Sequence, residues 1–177
     1  MMRKIRYWQL AGWLFTLAAG AGLHFLYPAW PNGFTALFGP VNESTWEHLK
    51  LIFWPMALFA VVEYAVYGKK KGNFLPIRTS AAVLALAAVI ILFYTYSGVL
   101  GTHVLAADIA VFVLAAASGY LFSCRQLGRT ERAAVFPGAS WVALAVWLSL
   151  AVCFAVFSYY PPRIALFLDP VSGGYGV

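Results

Sequence analysis

The stretch GPVNESTWEHLKLIFWPMALFAVVEYAVY, Gly39 to Tyr67, joins a polar segment to a long apolar run. Its apolar part, from Thr45 to Tyr67, exceeds the roughly 20 residues that a helix needs to cross a hydrocarbon core about 30 Å thick. The apolar residues lack the strict alternation of a strand, so the run predicts a helix. This stretch therefore indicates a helical membrane protein.

The composition of the whole chain agrees with this prediction. Hydrophobic residues make up 63% of the 177 residues, charged residues 10%, and the mean hydropathy is +0.79. A soluble domain carries about 25% charged residues. We predict an all-α fold, a polytopic transmembrane bundle of five helices that forms a single domain over residues 1–177, because backbone groups in lipid must be paired internally. The five spans are predicted at about residues 7–27, 45–67, 75–97, 103–122 and 135–158, and they leave no room for a soluble catalytic domain.

Basic residues predict how the bundle is oriented. Lys50 and Arg163 fall on one side of the predicted membrane, and the other ten of the twelve fall on the opposite side. The positive-inside rule then places the N-terminus in the cytoplasm and the C-terminus outside, as in a multi-pass protein of the inner (cytoplasmic) membrane. The net charge of +6 reports topology, so a nucleic-acid partner is excluded. The ten residues are Arg3, Lys4, Arg6, Lys69, Lys70, Lys71, Arg78, Arg125, Arg129 and Arg132.

Both ends of the chain allow a second interpretation. The basic start MMRKIR and the small residues AAGAG fit a secretory signal peptide, but the apolar run continues through Phe25 and Leu26, which favours an uncleaved first helix. An outer loop is predicted at 28–44 and an outer tail at 160–177. The tail contains IALFL, which is too short to span, so it either lies on the outer surface or tucks back into the bundle.

All three histidines are predicted at one depth. His24 lies about 26 Å along the first span from Tyr7, near its outer end. His48 lies one turn inside the second span, and His103 opens the fourth span, again from outside. Imidazoles on three separate helices therefore share one layer.

The acidic residues follow the same bias. Glu43 and Glu47 stand at the outer start of the second span, Asp108 lies about 8 Å below the start of the fourth, and Asp169 belongs to the outer tail. Glu63 lies deep toward the cytoplasmic end, where it snorkels or bonds to a neighbouring helix, and we leave it out of the site.

Several of these residues have a purely structural explanation. The sequence STWE, Ser44 to Glu47, matches a capping box. Glu47 also pairs with Lys50 at i,i+3 spacing, and the helix dipole favours Glu43 at the helix start. His48 and Asp108 have no such explanation, and ionisable groups inside a span cost about 2.5–3.5 kcal/mol at mid-helix. A polar cavity open to the outside accounts for them.

A cavity that holds imidazoles and carboxylates suits zinc, which in catalytic sites keeps three protein ligands and an open water position. We therefore hypothesise a metal-dependent intramembrane hydrolase that acts at the outer leaflet on a lipid or lipid-linked ester or amide. The sequence contains no HExxH signature and indicates no oligomeric state. The predicted metal ligands are His24, His48 and His103, with Glu43 or Glu47 as general base. Asp108 is predicted to orient one of the ligands by a hydrogen bond.

Other functions remain open at this stage. Haem held by two histidines is a weaker interpretation, because the neighbouring acids serve no purpose in a haem pocket. The main alternative is a non-catalytic membrane module that binds a metal ion or small ligand, or an accessory membrane subunit. The third is a structural polar network.

Two segments, FGPVNESTWEHLKLIFWP and LDPVSGGYG, resemble those of a family of small polytopic bacterial membrane proteins known only as a domain of unknown function. The resemblance implies a bacterial inner-membrane protein and supplies no activity or functional residues. A looser chemical likeness exists to the ceramidase and adiponectin-receptor class of intramembrane zinc hydrolases. That class has seven helices and a terminal HxxxH pair, which this chain lacks, so the likeness is an analogy.

Overall fold

The computed structural model describes residues 2–129 and 137–177, and within them the fold is all-α. The predicted multi-pass architecture is confirmed, because five of the described helices are long and apolar enough to cross a membrane. These helices are α1 (Met2–His24), α4 (Thr45–Val66), α5 (Phe74–Leu100), α6 (Leu105–Arg129) and α7 (Ala139–Tyr159). The predicted start of the fifth span at Val135 and the loop residue Arg132 lie outside the described residues. The orientation across the membrane stays a prediction.

Short elements connect the long helices. The first loop contains two short helices, α2 (Leu26–Ala29) and α3 (Gly33–Phe38), and 3-10 turns occur at Gly68–Lys70 and Ala165–Phe167. We call the end of the bundle where α1 ends and α4 and α6 begin the histidine end. The opposite end, where α4 ends and α5 begins, is the basic end.

The helix α4 begins where the sequence predicts, although its cap differs in one detail. The Ser44 hydroxyl accepts a hydrogen bond from the Glu47 amide at 3.4 Å, as a capping box requires. The Ser44 amide instead donates to the Asn42 side chain at 2.9 Å. The Glu47 carboxylate is thereby free to turn into the bundle.

Close helix contacts set the register at the histidine end. A Cβ added to Gly20 of α1 would lie 2.5 Å from the carbonyl oxygen of Leu51 in α4 and 2.8 Å from the ring of Phe112 in α6. Three helices therefore meet at this glycine. Residues about one turn further toward the histidine end, which include His24, His48 and Asp108, occupy the next layer.

The C-terminal segment, residues 160–177, folds back over the histidine end. Phe167 is 5% exposed, and its ring lies 4.9 Å from that of Trp46 in the first turn of α4. An isolated antiparallel bridge joins Leu168 to Tyr175. Of the two positions that the sequence leaves open for this segment, the structure has the one in which it tucks back.

Candidate metal site at the histidine end

Three side chains from three parts of the chain meet at the histidine end. His24 is the last residue of α1, Glu43 lies in the loop before α4, and His48 lies in the first turn of α4. Each offers one ligand atom, and these atoms lie within 4.8 Å of one another. Nε2 of His48 is 3.3 Å from a carboxylate oxygen of Glu43, and the two imidazole rings are 5.3 Å apart. We call these three residues the metal cluster.

The His48 ring is oriented by the backbone. Its Nδ1 lies 2.9 Å from the carbonyl oxygen of Ser44. A carbonyl only accepts hydrogen bonds, so Nδ1 carries the proton and Nε2 faces Glu43. Nε2 then either holds a second proton for the carboxylate or presents a lone pair to a cation. A histidine that ligates a metal almost always has its other ring nitrogen fixed in this way.

His24 has a buried ring nitrogen with no protein partner. Its Nδ1 is shielded from solvent and makes no hydrogen bond in the part of the chain that the structure describes. The ring also contacts Phe25, at 5.3 Å between centroids. Because an unpaired buried polar atom costs about 1–3 kcal/mol, this imidazole lacks a complete structural explanation.

The metal cluster is open on one side. The Glu43 side chain is 50% exposed and that of His48 is 31% exposed. The hydrogen bond from His48 lowers the pKa of Glu43 below its ordinary value of 4.5, against the opposing effect of burial. Glu43 is therefore an ionised, solvent-reachable carboxylate beside two imidazoles.

His103 and Asp108 form a separate pair beside the metal cluster. The helix α6 begins at Leu105, so His103 lies in the preceding loop, where its Nδ1 is 3.2 Å from the Asp108 carboxylate. Tyr96 of α5 donates a hydrogen bond to the other carboxylate oxygen. The structure does not bring His103 into the metal cluster, because its loop turns the ring back onto its own helix.

Glu47 belongs to a buried ion pair that the sequence analysis found only in part. The predicted pairing with Lys50 is present at 2.5 Å, and the two side chains are 2% and 0% exposed. Ser158 of α7, which the sequence analysis missed, lies 2.6 Å from the Lys50 nitrogen and donates to Glu47 at 2.8 Å. Lys50 also donates to the carbonyl of Ala36.

The partners of this pair limit its chemistry. The Lys50 nitrogen lies within hydrogen-bonding distance of four acceptors. An ammonium group, which has three donors and no acceptor, suits such a set, whereas a neutral lysine base for Ser158 does not. The Glu47 carboxylate accepts from Lys50, Ser158 and the Val41 amide, so none of it faces the metal cluster as a general base. These hydrogen bonds connect α3, α4 and α7.

A second buried ion pair lies at the basic end. Glu63 of α4 and Arg78 of α5 are 0% and 1% exposed and approach to 3.1 Å. Arg78 also donates to Gln9 and Ser123, and it stacks on the ring of Tyr120 at 4.7 Å. The prediction that Glu63 bonds to a neighbouring helix is confirmed. Arg78, which the sequence analysis counts with the basic residues outside the spans, instead lies within α5 and is buried against Glu63.

Comparison with known proteins identifies a family. A family model described as a family of unknown function, DUF6512, matches residues 1–177. No curated protein and no solved structure matches the chain. The match agrees with the resemblance carried by the segments around Glu43 and in the C-terminal segment.

Proposed function

The chain belongs to the family of unknown function DUF6512, and we propose that it is a multi-pass membrane protein that binds a divalent metal ion, zinc in the first place. The observation that carries this proposal is the approach of His24, Glu43 and His48, whose ligand atoms lie within 4.8 Å of one another. Two imidazoles and one carboxylate form a donor set found in catalytic zinc sites. His103, which the sequence analysis proposes as a ligand, lies outside this group of ligand atoms.

The approach of Glu43 to His48 supports the presence of a cation between the two side chains. With Nδ1 protonated, a neutral His48 presents an acceptor nitrogen to an acceptor oxygen 3.3 Å away, an arrangement that is unfavourable by itself. Either a proton on Nε2 or a metal ion relieves it. The unpaired nitrogen of the neighbouring His24 favours the metal ion over the proton.

The activity that such a site would support is hydrolysis of a lipid or lipid-linked ester or amide. A zinc ion with three protein ligands keeps a position for water and lowers the pKa of that water to about 7. Asp108 lies in the same layer as His24 and His48, and with His103 it forms a pair suited to accept a proton. The metal cluster is exposed at the end of the apolar helices, which suits a substrate at the level of lipid headgroups.

A second candidate is metal binding without turnover, as in an accessory or metal-carrying membrane module. It is favoured because the other nearby carboxylates already accept hydrogen bonds from protein groups. Asp108 already accepts from Tyr96 and lies against His103, and Glu47 is held by Lys50 and Ser158. Among the described carboxylates that face an imidazole, Glu43 is the more exposed, at 50% against 30% for Asp108, and in this candidate function it serves as a ligand.

We further infer that the histidine end faces outward from the inner membrane. Removing the buried Arg78 from one side of the charge count and the buried Lys50 from the other leaves nine basic residues against one. The positive-inside rule counts charges that flank the spans, so the corrected bias is stronger than the original one.

Metal content tests the proposal. The full chain, purified in detergent and dialysed against zinc, is expected to retain one zinc ion per molecule. The variants His24→Ala, His48→Ala and Glu43→Gln should lose it or bind much more weakly, while His103→Ala should retain it. A wild-type protein without zinc, or equal retention in all four variants, would overturn the proposal. Turnover of esters and amides in lipid vesicles then separates the two candidate functions.

A further inference from the structure

Basic side chains from three parts of the chain gather at the basic end. Ile5 of α1 is 4% exposed and belongs to a small apolar cluster with Phe74 of α5 and Leu127 of α6. This cluster brings together the start of α1, the turn between α4 and α5, and the end of α6, and each of these segments carries cations. The exposed ones are Arg3, Lys4, Arg6, Lys69, Lys70 and Arg125.

The turn between α4 and α5, residues 68–71, is fixed against the bundle. A Cβ added to Gly68 would lie 2.9 Å from the Phe74 ring, so the backbone of the turn packs directly on α5. At the other end of the turn, Lys71 donates a hydrogen bond to the carbonyl of Leu127, in the last turn of α6, at 3.0 Å. The two lysines between these contacts are exposed, and their backbone is already ordered.

Among the described residues, no acidic side chain neutralises the exposed cations. Glu63 is the one described acid in this half of the bundle, and its carboxylate lies 3.1 Å from Arg78 inside the helices. The ion pairs found in the described part of the chain involve no exposed residue of the basic end. Adjacent cations without a counter-charge repel one another, so an anionic partner is favoured at this end.

Two exposed tyrosines indicate that these cations lie at the level of lipid headgroups. Tyr7, which follows Arg6, is 60% exposed, and Tyr64, five residues before Lys69, is 47% exposed. Both belong to helices that are long and apolar enough to cross a membrane. Tyrosine is enriched at the membrane–water interface, where its ring lies among the headgroups. Cations about one turn beyond such rings therefore lie beside lipid phosphates.

We propose that the basic end binds the phosphate groups of anionic phospholipids in the adjacent leaflet. The exposed cations supply the complementary charge, and the tyrosines give the matching depth. Each Lys or Arg near an anionic membrane surface strengthens such binding about 5-fold. The metal cluster lies at the opposite end of the bundle, so this inference does not depend on the proposed metal site.

Spin-labelled lipids test this inference with the full-length protein reconstituted in phosphatidylcholine vesicles. Electron paramagnetic resonance measures how many labelled lipids the protein immobilises, and the comparison is between phosphatidylglycerol and phosphatidylcholine. The wild type should favour phosphatidylglycerol about 5-fold or more. Raising the salt from about 0.1 M to about 1 M shortens the Debye length from about 10 Å to about 3 Å and should reduce this preference.

Variants at the two ends of the bundle locate the lipid. Lys69→Gln/Lys70→Gln should lose most of the preference for phosphatidylglycerol, and Lys69→Gln alone should lose part of it. Arg163→Gln is the matched control, because it removes one exposed charge at the histidine end, and it should leave the preference unchanged. Circular dichroism and the thermal midpoint in detergent check that all variants fold as the wild type does.

Several results would overturn the inference. One is a wild type that immobilises the two lipids equally, and another is a preference that the lysine variants retain. An equal loss in Lys69→Gln and Arg163→Gln would show that net charge, and not the basic end, selects the lipid. Inorganic phosphate that abolishes the preference at an ionic strength where chloride does not would identify a soluble anion as the ligand. Zinc content is measured separately, so failure of this inference is distinguished from failure of the metal site.

Discussion

Glu43 and His48 face each other across 3.3 Å, one from a loop and the other from the first turn of α4. The Ser44 cap between them turns the chain so that both side chains reach the same side, next to His24 at the end of α1. The helix start that the sequence predicts is therefore also one wall of the candidate metal site.

The ionisation of Glu43 should contribute a pH-dependent part of the stability. Its pKa is lower in the folded protein than the ordinary 4.5, so the contribution is present above that value and is lost as the pH falls through the folded pKa. In the presence of a chelator, the thermal midpoint of the wild type should exceed that of Glu43→Gln above pH 4.5, and the difference should shrink as the pH falls below that value. A difference that grows as the pH falls would contradict the sign of the shift.

The buried pair of Lys50 and Glu47 should be necessary for a stable histidine end. Lys50→Met leaves a carboxylate buried without its cation, which costs about 3–5 kcal/mol in free energy of unfolding. Lys69→Met, an exposed change at the basic end, should stay within about 0.5 kcal/mol of the wild type. Equilibrium unfolding in mixed micelles measures both, and similar values for the two variants would show that the ion pair contributes little.

Helix packing predicts that two glycines differ in their tolerance of a side chain. A Cβ at Gly119 of α6 would lie 2.6 Å from the carbonyl oxygen of Ala81 in α5, so Gly119→Ala should destabilise the fold by about 1–3 kcal/mol. Around Gly22 of α1 there is nothing within 4 Å, and Gly22→Ala should remain within about 1 kcal/mol of the wild type. The same unfolding measurement decides, and equal effects would argue against the α5–α6 contact.

The proposed orientation can be tested by thiol labelling. With Cys124 and Cys153 replaced by serine, a cysteine at Thr102 lies at the exposed histidine end and one at Gly72 at the exposed basic end. A membrane-impermeant maleimide added to intact cells should label Thr102→Cys and spare Gly72→Cys. The reverse labelling would place the metal cluster in the cytoplasm.

Much of this fold follows from elementary patterns in the sequence. Apolar runs long enough to cross lipid predict all five long helices, and STWE predicts where α4 begins. A rise of 1.5 Å per residue also places His24 and His48 at one depth, which agrees with the 5.3 Å between their rings. Depth along a helix is a local property, so it can be read from the chain.

Which side chains meet within that layer cannot be read in the same way. His103 shares the predicted depth, but its direction depends on how the loop before α6 turns, and the structure pairs it with Asp108. Ser158 is one hydroxyl in an apolar helix, and only the packing of α7 brings it to Lys50. Arg78 carries the same charge as the loop lysines, and only its burial against Glu63 distinguishes it from them.

The central claim is that His24, Glu43 and His48 bind one metal ion, and zinc-edge X-ray absorption of the purified full-length protein tests it most directly. We predict two imidazole nitrogens at about 2.0–2.1 Å from zinc, with oxygen completing the shell, and a single imidazole in His24→Ala or His48→Ala. His103→Ala should retain both imidazoles. A zinc-loaded protein whose imidazole count is unchanged in His24→Ala and His48→Ala, or a wild type without bound zinc, would contradict the account.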